Sequence, residues 1–243
     1  MGQSFFIWNG IDCRAKGIIQ RGPAPIIRAE ERINHVTIPG RSGDLTETEG
    51  KNIYNSYIQT VTISVVGGYR VREVYKWLRG SGRVTFSGEP DKVQDARIIG
   101  AITLNKISKN MDSWSGEVQF YCQPLKKRLR EVAEAVTTSG TVIRNNGDVR
   151  SRPMWKVTAS GSTVTLTAAG ADTPEDNTIE VDGLTSGDVI WIDSDTMEVW
   201  NEDKSALITK DSTGEFPMLG EGENTISGSG WSRIEIEKRE RYL

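Results

Sequence analysis

Thr60-Val61-Thr62-Ile63-Ser64-Val65 alternates polar and apolar side chains, the period of a strand with one face buried. Gly67-Gly68 interrupts it, and the period changes. From Tyr69 to Arg79 the apolar residues Val71, Val74, Tyr75 and Leu78 recur at helical spacing, with Arg70, Arg72, Glu73, Lys76 and Arg79 between them. This predicts an amphipathic helix over 69–79, closed by Gly80, with Trp77 packing at the edge of its stripe. Strands are predicted again at Gly82–Ser87, Ala96–Leu104 and Ser115–Cys122, where Val118, Phe120 and Cys122 share a face and Pro124 ends the run. Leu125–Ser139 fits a short helix or an extended strap equally well.

Beyond the turn cluster Asn145-Asn146-Gly147-Asp148, the pattern predicts only strands. They are Thr163–Thr167, Thr178–Val181, Gly187–Asp193, Met197–Trp200, Ser205–Thr209, Asn224–Ser227 and Ser232–Glu237. Short strands at close intervals, separated by Gly, Asp and Asn turns, are the pattern of a β-sandwich. The chain of 243 residues is long enough for two domains, here 1–150 and 151–243. Charge divides in the same way. Residues 1–152 hold 23 basic and 15 acidic side chains, whereas residues 153–243 hold 7 and 18. Mean hydropathy is −0.44 and no apolar run reaches the length of a membrane span, so membrane insertion and a secretory leader are not expected.

One loop stands out. Pro39-Gly40-Arg41-Ser42-Gly43-Asp44-Leu45 lies between strand-like stretches at Ile33–Ile38 and Ile53–Val65. Its proline and two glycines form turns, and Arg41 and Asp44 need solvent or a partner. A projecting loop on a sheet is where a binding protein keeps its contacts.

Catalytic chemistry finds little support. The single histidine, His35, sits inside a strand pattern and reads as a strand residue with one face in water. No G-x-S-x-G elbow, Walker A loop or dinucleotide fingerprint occurs. The two cysteines, Cys13 and Cys122, lack the spacing of a metal site and read as buried free thiols. Asp193-Ser194-Asp195 opens like a calcium loop, but Glu198 stands where its glycine belongs. No cofactor and no metal are expected. The basic run Lys126-Lys127-Arg128-Leu129-Arg130 reads as a solvated face or a subunit contact rather than a phosphate track, so no sequence-specific nucleic-acid binding is expected. Trp191 is predicted on the less apolar face of its strand. With Trp200 it is the candidate for an exposed ring on which a sugar could stack.

Several motifs, taken in order, resemble the siphophage distal tail (Dit) protein family. They are the aromatic opening Phe5-Phe6-Ile7-Trp8-Asn9-Gly10, the loop Pro39–Leu45, and Lys76-Trp77-Leu78 followed by Gly82–Pro90. Next come Val118–Pro124, the entry Asn146-Gly147 with Ser151 and Pro153, and the turn Phe216–Ile226. The last departs from the family in having Glu221 where proline is usual. The resemblance implies a mainly β fold: an N-terminal split β-barrel-like domain with one helix that builds a ring, and an outer galectin-like β-sandwich. It implies a non-enzymatic virion protein, made in the host cytoplasm and placed at the distal end of a long non-contractile tail, where it supports host adsorption. Its partners would be five further copies in a hexameric ring, the tail-tube protein, the tail-associated hub or lysin protein and, in many phages, receptor-binding proteins. Under this reading Arg41, Gly43 and Asp44 belong to an interface. The excess positive charge is expected at contacts, because a strongly basic lumen would retard DNA. The alternative is a carbohydrate-binding module that contacts host cell-wall polysaccharide through Trp191 or Trp200.

Overall fold

The structure, a computed structural model, describes residues 4–48 and 50–243. The chain forms two units. One ends at Leu129 and also holds Leu243, and the other spans Arg130–Tyr242. The division falls before the expected boundary at 150/151. Residues 134–145 form strands that pair with strands near the C-terminus, so they belong to the second unit.

In the first unit, β1 (Phe6–Trp8) and β2 (Ile11–Asp12) form a hairpin, and β3 (Ile18–Gln20) follows a single 3-10 turn. Then come β4 (Ile33–Val36), β5 (Leu45–Thr48), β6 (Tyr57–Val66), α1 (Gly68–Trp77) and β7 (Ser81–Phe86). β8 (Lys92–Ile99), β9 (Leu104–Ser108), β10 (Met111–Cys122) and β11 (Lys126–Arg128) complete it. An antiparallel sheet runs in the order β2-β1-β7-β8-β10-β6-β3, with β9 beside β10 and β11 beside β8.

The core follows from alternation. Val61, Ile63 and Val65 of β6 and Val118, Phe120 and Cys122 of β10 are buried, and so are Phe6, Trp8 and Val84. Phe120 meets Phe6, Trp8 and Phe86 edge-on at ring-centroid distances of 5.4–5.6 Å. Trp77 of α1 stacks on Phe6 at 5.9 Å, the packing role its position predicts. Both cysteines are buried free thiols, and burial pushes the Cys122 thiol up to about 12.

Helix α1 starts one residue before its predicted onset, after Gly67, which has no capping side chain. A strand supplies the cap instead. Asp112 Oδ2 of β10 accepts from Gly68 N at 2.8 Å and its Oδ1 accepts from Trp114 Nε1 at 3.3 Å. A carboxylate at a helix N-terminus satisfies an orphan donor and opposes the helix dipole. These bonds hold the Asp112 carboxyl below its ordinary range. The predicted continuous strand Ala96–Leu104 is instead two strands, because Gly100 at φ +68° turns the backbone out of the sheet. Gly116 has no room for a side chain, since a Cβ there would meet the Thr103 carbonyl oxygen.

The basic run at 126–130 needs correction at its first residue. Lys126 is buried, and its Nζ bonds Glu89 Oε2 at 2.6 Å. Lys92 Nζ binds the other oxygen of the same carboxylate at 2.6 Å. Burial raises the Glu89 pKa, but the two ammonium groups outweigh it and hold the carboxyl below its ordinary value.

The second unit contains β12 (Glu134–Val136), β13 (Thr141–Asn145), β14 (Met154–Ala159), β15 (Val164–Gly170) and β16 (Thr178–Val181). It continues with β17 (Val189–Asp193), β18 (Glu198–Asn201), β19 (Ser212–Gly214), β20 (Gly222–Ser229) and β21 (Trp231–Glu237). Two five-stranded antiparallel sheets, β12-β21-β14-β17-β18 and β13-β20-β15-β16-β19, share one core that includes Trp155, Leu166, Ile192 and Ile226. This is the expected sandwich. Leu125–Ser139 is an extended strap carrying β11 and β12. Ser205–Thr209 is not the predicted strand. Side-chain bonds among Asn201, Asp203 and Ser205 fold its start into a turn, and the segment then returns to β18 through a single bridge, Leu207 to Trp200, flanked by backbone bonds from Asn201 N to Ala206 O and from Ile208 N to Val199 O. No helix among the described residues is long and apolar enough to cross a membrane.

Candidate interaction site

β4 and β5 pair only with each other, with Ile33 opposite Thr48, His35 opposite Thr46 and Val36 opposite Leu45. The hairpin is anchored at its root, where Arg32 N donates to Ile53 O at 2.9 Å and Asn55 N donates to Glu30 O at 2.8 Å. Every described residue from Glu30 to Thr48 is exposed on both faces of this arm. His35 is thus a strand residue, but neither face of its strand is covered.

The loop Pro39–Asp44 is the tip of the arm. Gly40 and Gly43 both have φ +81°, which glycine adopts without strain. Thr37 Oγ1 donates to Asp44 Oδ1 at 2.9 Å, closing the base of the loop. Arg41 N donates to Ile38 O at 3.2 Å, while its side chain extends into solvent without a partner. The structure therefore brings Arg41, Gly43 and Asp44 together on one projection. Sequence reading found one strand of the arm, in the stretch Ile33–Ile38, but missed its partner β5 and the exposure of both. Val36, Ile38 and Leu45 are apolar, yet 37–42% exposed. A two-stranded ribbon with both faces wet is marginal alone, and here it also leaves apolar side chains in water.

The tryptophans lie on the second unit. Trp191 of β17 and Trp200 of β18 are directly opposite each other, and both are half-buried. Ile190 and Ile192 point into the core, as the alternation predicts. Trp191 is not an open platform. Its Nε1 donates to Glu202 O at 2.9 Å, and Lys204 Nζ sits 3.9 Å from the ring centroid. Lys156 Nζ lies 5.4 Å from the same ring. A sugar stacking there would have to displace a cation–π contact. Asp193, at the end of β17, is clamped by Arg239 at 2.7 and 3.1 Å and accepts from Asp195 N and Thr196 N. Its carboxylate is thus committed to structure. Among the described residues there is no cluster of three or more His, Cys, Asp or Glu side chains able to hold a metal.

Comparison with known proteins places this geometry. Residues 146–242 match the family model of the siphovirus-type tail component, C-terminal domain. Over 100% of both chains the fold superposes on the crystal structure of the Dit protein of phage SPP1, with a TM-score of 0.80 at 17% identity. That protein is described as a paradigm of hub adsorption apparatus in phages infecting Gram-positive bacteria. A chain of the phage p2 baseplate in its activated conformation also matches, over 97% of both chains, with a TM-score of 0.52 at 10% identity. Among curated proteins nothing matches. Residues 146–242 thus resemble the siphovirus-type tail component, C-terminal domain, and the chain as a whole has the fold of the SPP1 Dit protein.

Proposed function

We propose that this protein is the distal tail hub of a long non-contractile phage tail. It has a structural and not a catalytic role, and works at the distal end of the virion. The observation that carries this reading is the end-to-end match to the SPP1 hub, both units included. The first unit builds a ring of six copies, the tail-tube protein meets one side of the ring, and the tail-associated hub or lysin protein meets the other. Receptor-binding proteins attach through the same assembly. The arm that carries Arg41, Gly43 and Asp44 is its contact element. A partner that covers the arm would bury Val36, Ile38 and Leu45, which are in water in the single chain.

Native mass measurement of the full chain, alone and with its tube and hub partners, tests this. A species of six copies is expected. Monomer alone at high concentration, with both partners present, would overturn the ring.

A further inference from the structure

We infer that Trp191 and the two lysines around it form a binding site for a saccharide that carries a carboxylate. The inference concerns the second unit alone and does not rest on the ring. Residues 153–243 hold 18 acidic and 7 basic side chains, a net charge of −11. Carboxylates are therefore in excess, and Arg233, Lys238, Arg239 and Arg241 each hold an ion pair. Lys156 and Lys204 hold none, and neither ammonium makes a hydrogen bond among the described residues. Both converge on one indole instead. Lys204 Nζ lies 3.9 Å and Lys156 Nζ 5.4 Å from the ring centroid of Trp191. Acids close to them in the chain or the ladder are engaged elsewhere. Asp203 Oδ1 accepts from Ser205 N and Oγ, and Glu235, opposite Lys156 on β21, pairs with Arg233.

The ring is fixed and the cation over it is not. Antiparallel pairing sets Lys156, Trp191 and Trp200 side by side across β14, β17 and β18, on the face away from the core. The bond from Trp191 Nε1 to Glu202 O spends the indole N–H and holds the ring in place. Lys204 stands on an exposed turn, so rotation of its side chain alone clears the ring. A cleared indole offers the C–H face of a sugar an apolar surface. A neutral sugar that takes this place displaces the ammonium and gives it nothing in return. A carboxylate on the sugar accepts the displaced ammonium in a charge-assisted hydrogen bond, which outweighs an exposed cation–π contact. The lysines thus select acidic sugars over neutral ones. A single-stranded nucleic acid also combines rings with negative charge. It would bring a phosphate at every nucleotide into a strongly acidic stretch, with Glu202 and Asp203 next to Lys204. A carboxylate isolated between neutral sugars meets the two cations with less of that repulsion.

Calorimetric titration of the full chain tests the site with two sugars. Hyaluronan tetrasaccharide alternates glucuronate with a neutral amino sugar, and chitotetraose is neutral throughout. Hyaluronan tetrasaccharide is expected to bind at least about tenfold more tightly. Lys204→Gln lies on an exposed turn and spares the core. It should weaken the acidic sugar about tenfold, as loss of a charge-assisted hydrogen bond does, and leave chitotetraose unweakened. Lys204→Arg should keep the preference. Trp191→Leu should abolish binding of both sugars. Equal affinity for the two sugars, or no binding of hyaluronan tetrasaccharide by the unmodified chain, overturns the site. An oligothymidylate that binds more tightly than the acidic sugar, and is lost with Lys204→Gln, would assign the patch to nucleic acid and overturn it as well. None of these outcomes touches the ring, which native mass measurement tests separately.

Discussion

Lys126 Nζ lies 2.6 Å from Glu89 Oε2, with the lysine side chain only 6% exposed. Taking an ammonium out of water costs several kcal/mol unless a carboxylate answers it. Glu89 answers Lys126 and the more exposed Lys92 together. Glu89→Leu therefore leaves the buried ammonium only its longer bond to Leu243 O, 3.3 Å, and should destabilise the first unit by about 3 kcal/mol in urea denaturation. Adding Lys126→Met removes the stranded charge, so the double variant should be more stable than Glu89→Leu alone. The reverse order would refute this account.

Acid should weaken the second unit. In Asp193, burial raises the carboxyl pKa, but Arg239 and the backbone donors of Asp195 and Thr196 outweigh it, and the net shift is downward. Glu240 behaves alike: burial is outweighed by Tyr242, Asn146 and Lys238. A carboxyl lowered in the folded state contributes stability that is complete above its unfolded pKa, about 4. That contribution is lost as pH falls through the folded value. The urea midpoint of this unit should thus fall between pH 7 and pH 3. Asp193→Asn should show a smaller fall, having lost one of the titrating groups. Equal falls in the two proteins would exclude Asp193 as a contributor.

The loop of the arm separates folding from assembly. Asp44→Ala removes one exposed hydrogen bond, to Thr37. Gly43→Ala meets no atom within 4 Å but forces φ +81° on a residue with a Cβ. Arg41→Ala deletes an exposed side chain that makes no hydrogen bond or ion pair. None reaches the core, and the strain of Gly43→Ala stays within an arm that pairs only with itself, so thermal melting of the body should change little. Tail yield in a complementation assay should nevertheless drop for all three. Unchanged yields would release these residues from the interface.

How much of this was legible beforehand depends on the range of the cause. The alternations at Thr60–Val65 and Val118–Cys122 and the helical stripe at Tyr69–Arg79 are local, and each became the element it predicts. β13 and β14 went unread because their signal is weak. Thr141–Asn145 is stabilised by pairing with Gly222–Ile226, about eighty residues away. The unit boundary was displaced for the same reason. Lys126 looked solvated because its partner, Glu89, is 37 residues distant and only the fold joins them. At the candidate site, composition revealed the loop from Pro39 to Asp44. The uncovered apolar faces of the arm could be seen only once β4 and β5 were found to pair with nothing else. Trp191 was placed correctly by alternation, but the lysine over its ring comes from a turn that the pattern had read as a strand.

The isolation of the arm has an evolutionary side. Because β4 and β5 share no ladder with the main sheet, a substitution there leaves the core beneath undisturbed. Sequence can drift along twenty-odd exposed residues while Phe6, Trp8 and Phe120 keep the body unchanged. A lineage could in this way rewrite this surface, one exposed side chain at a time, on a scaffold that never has to refold differently.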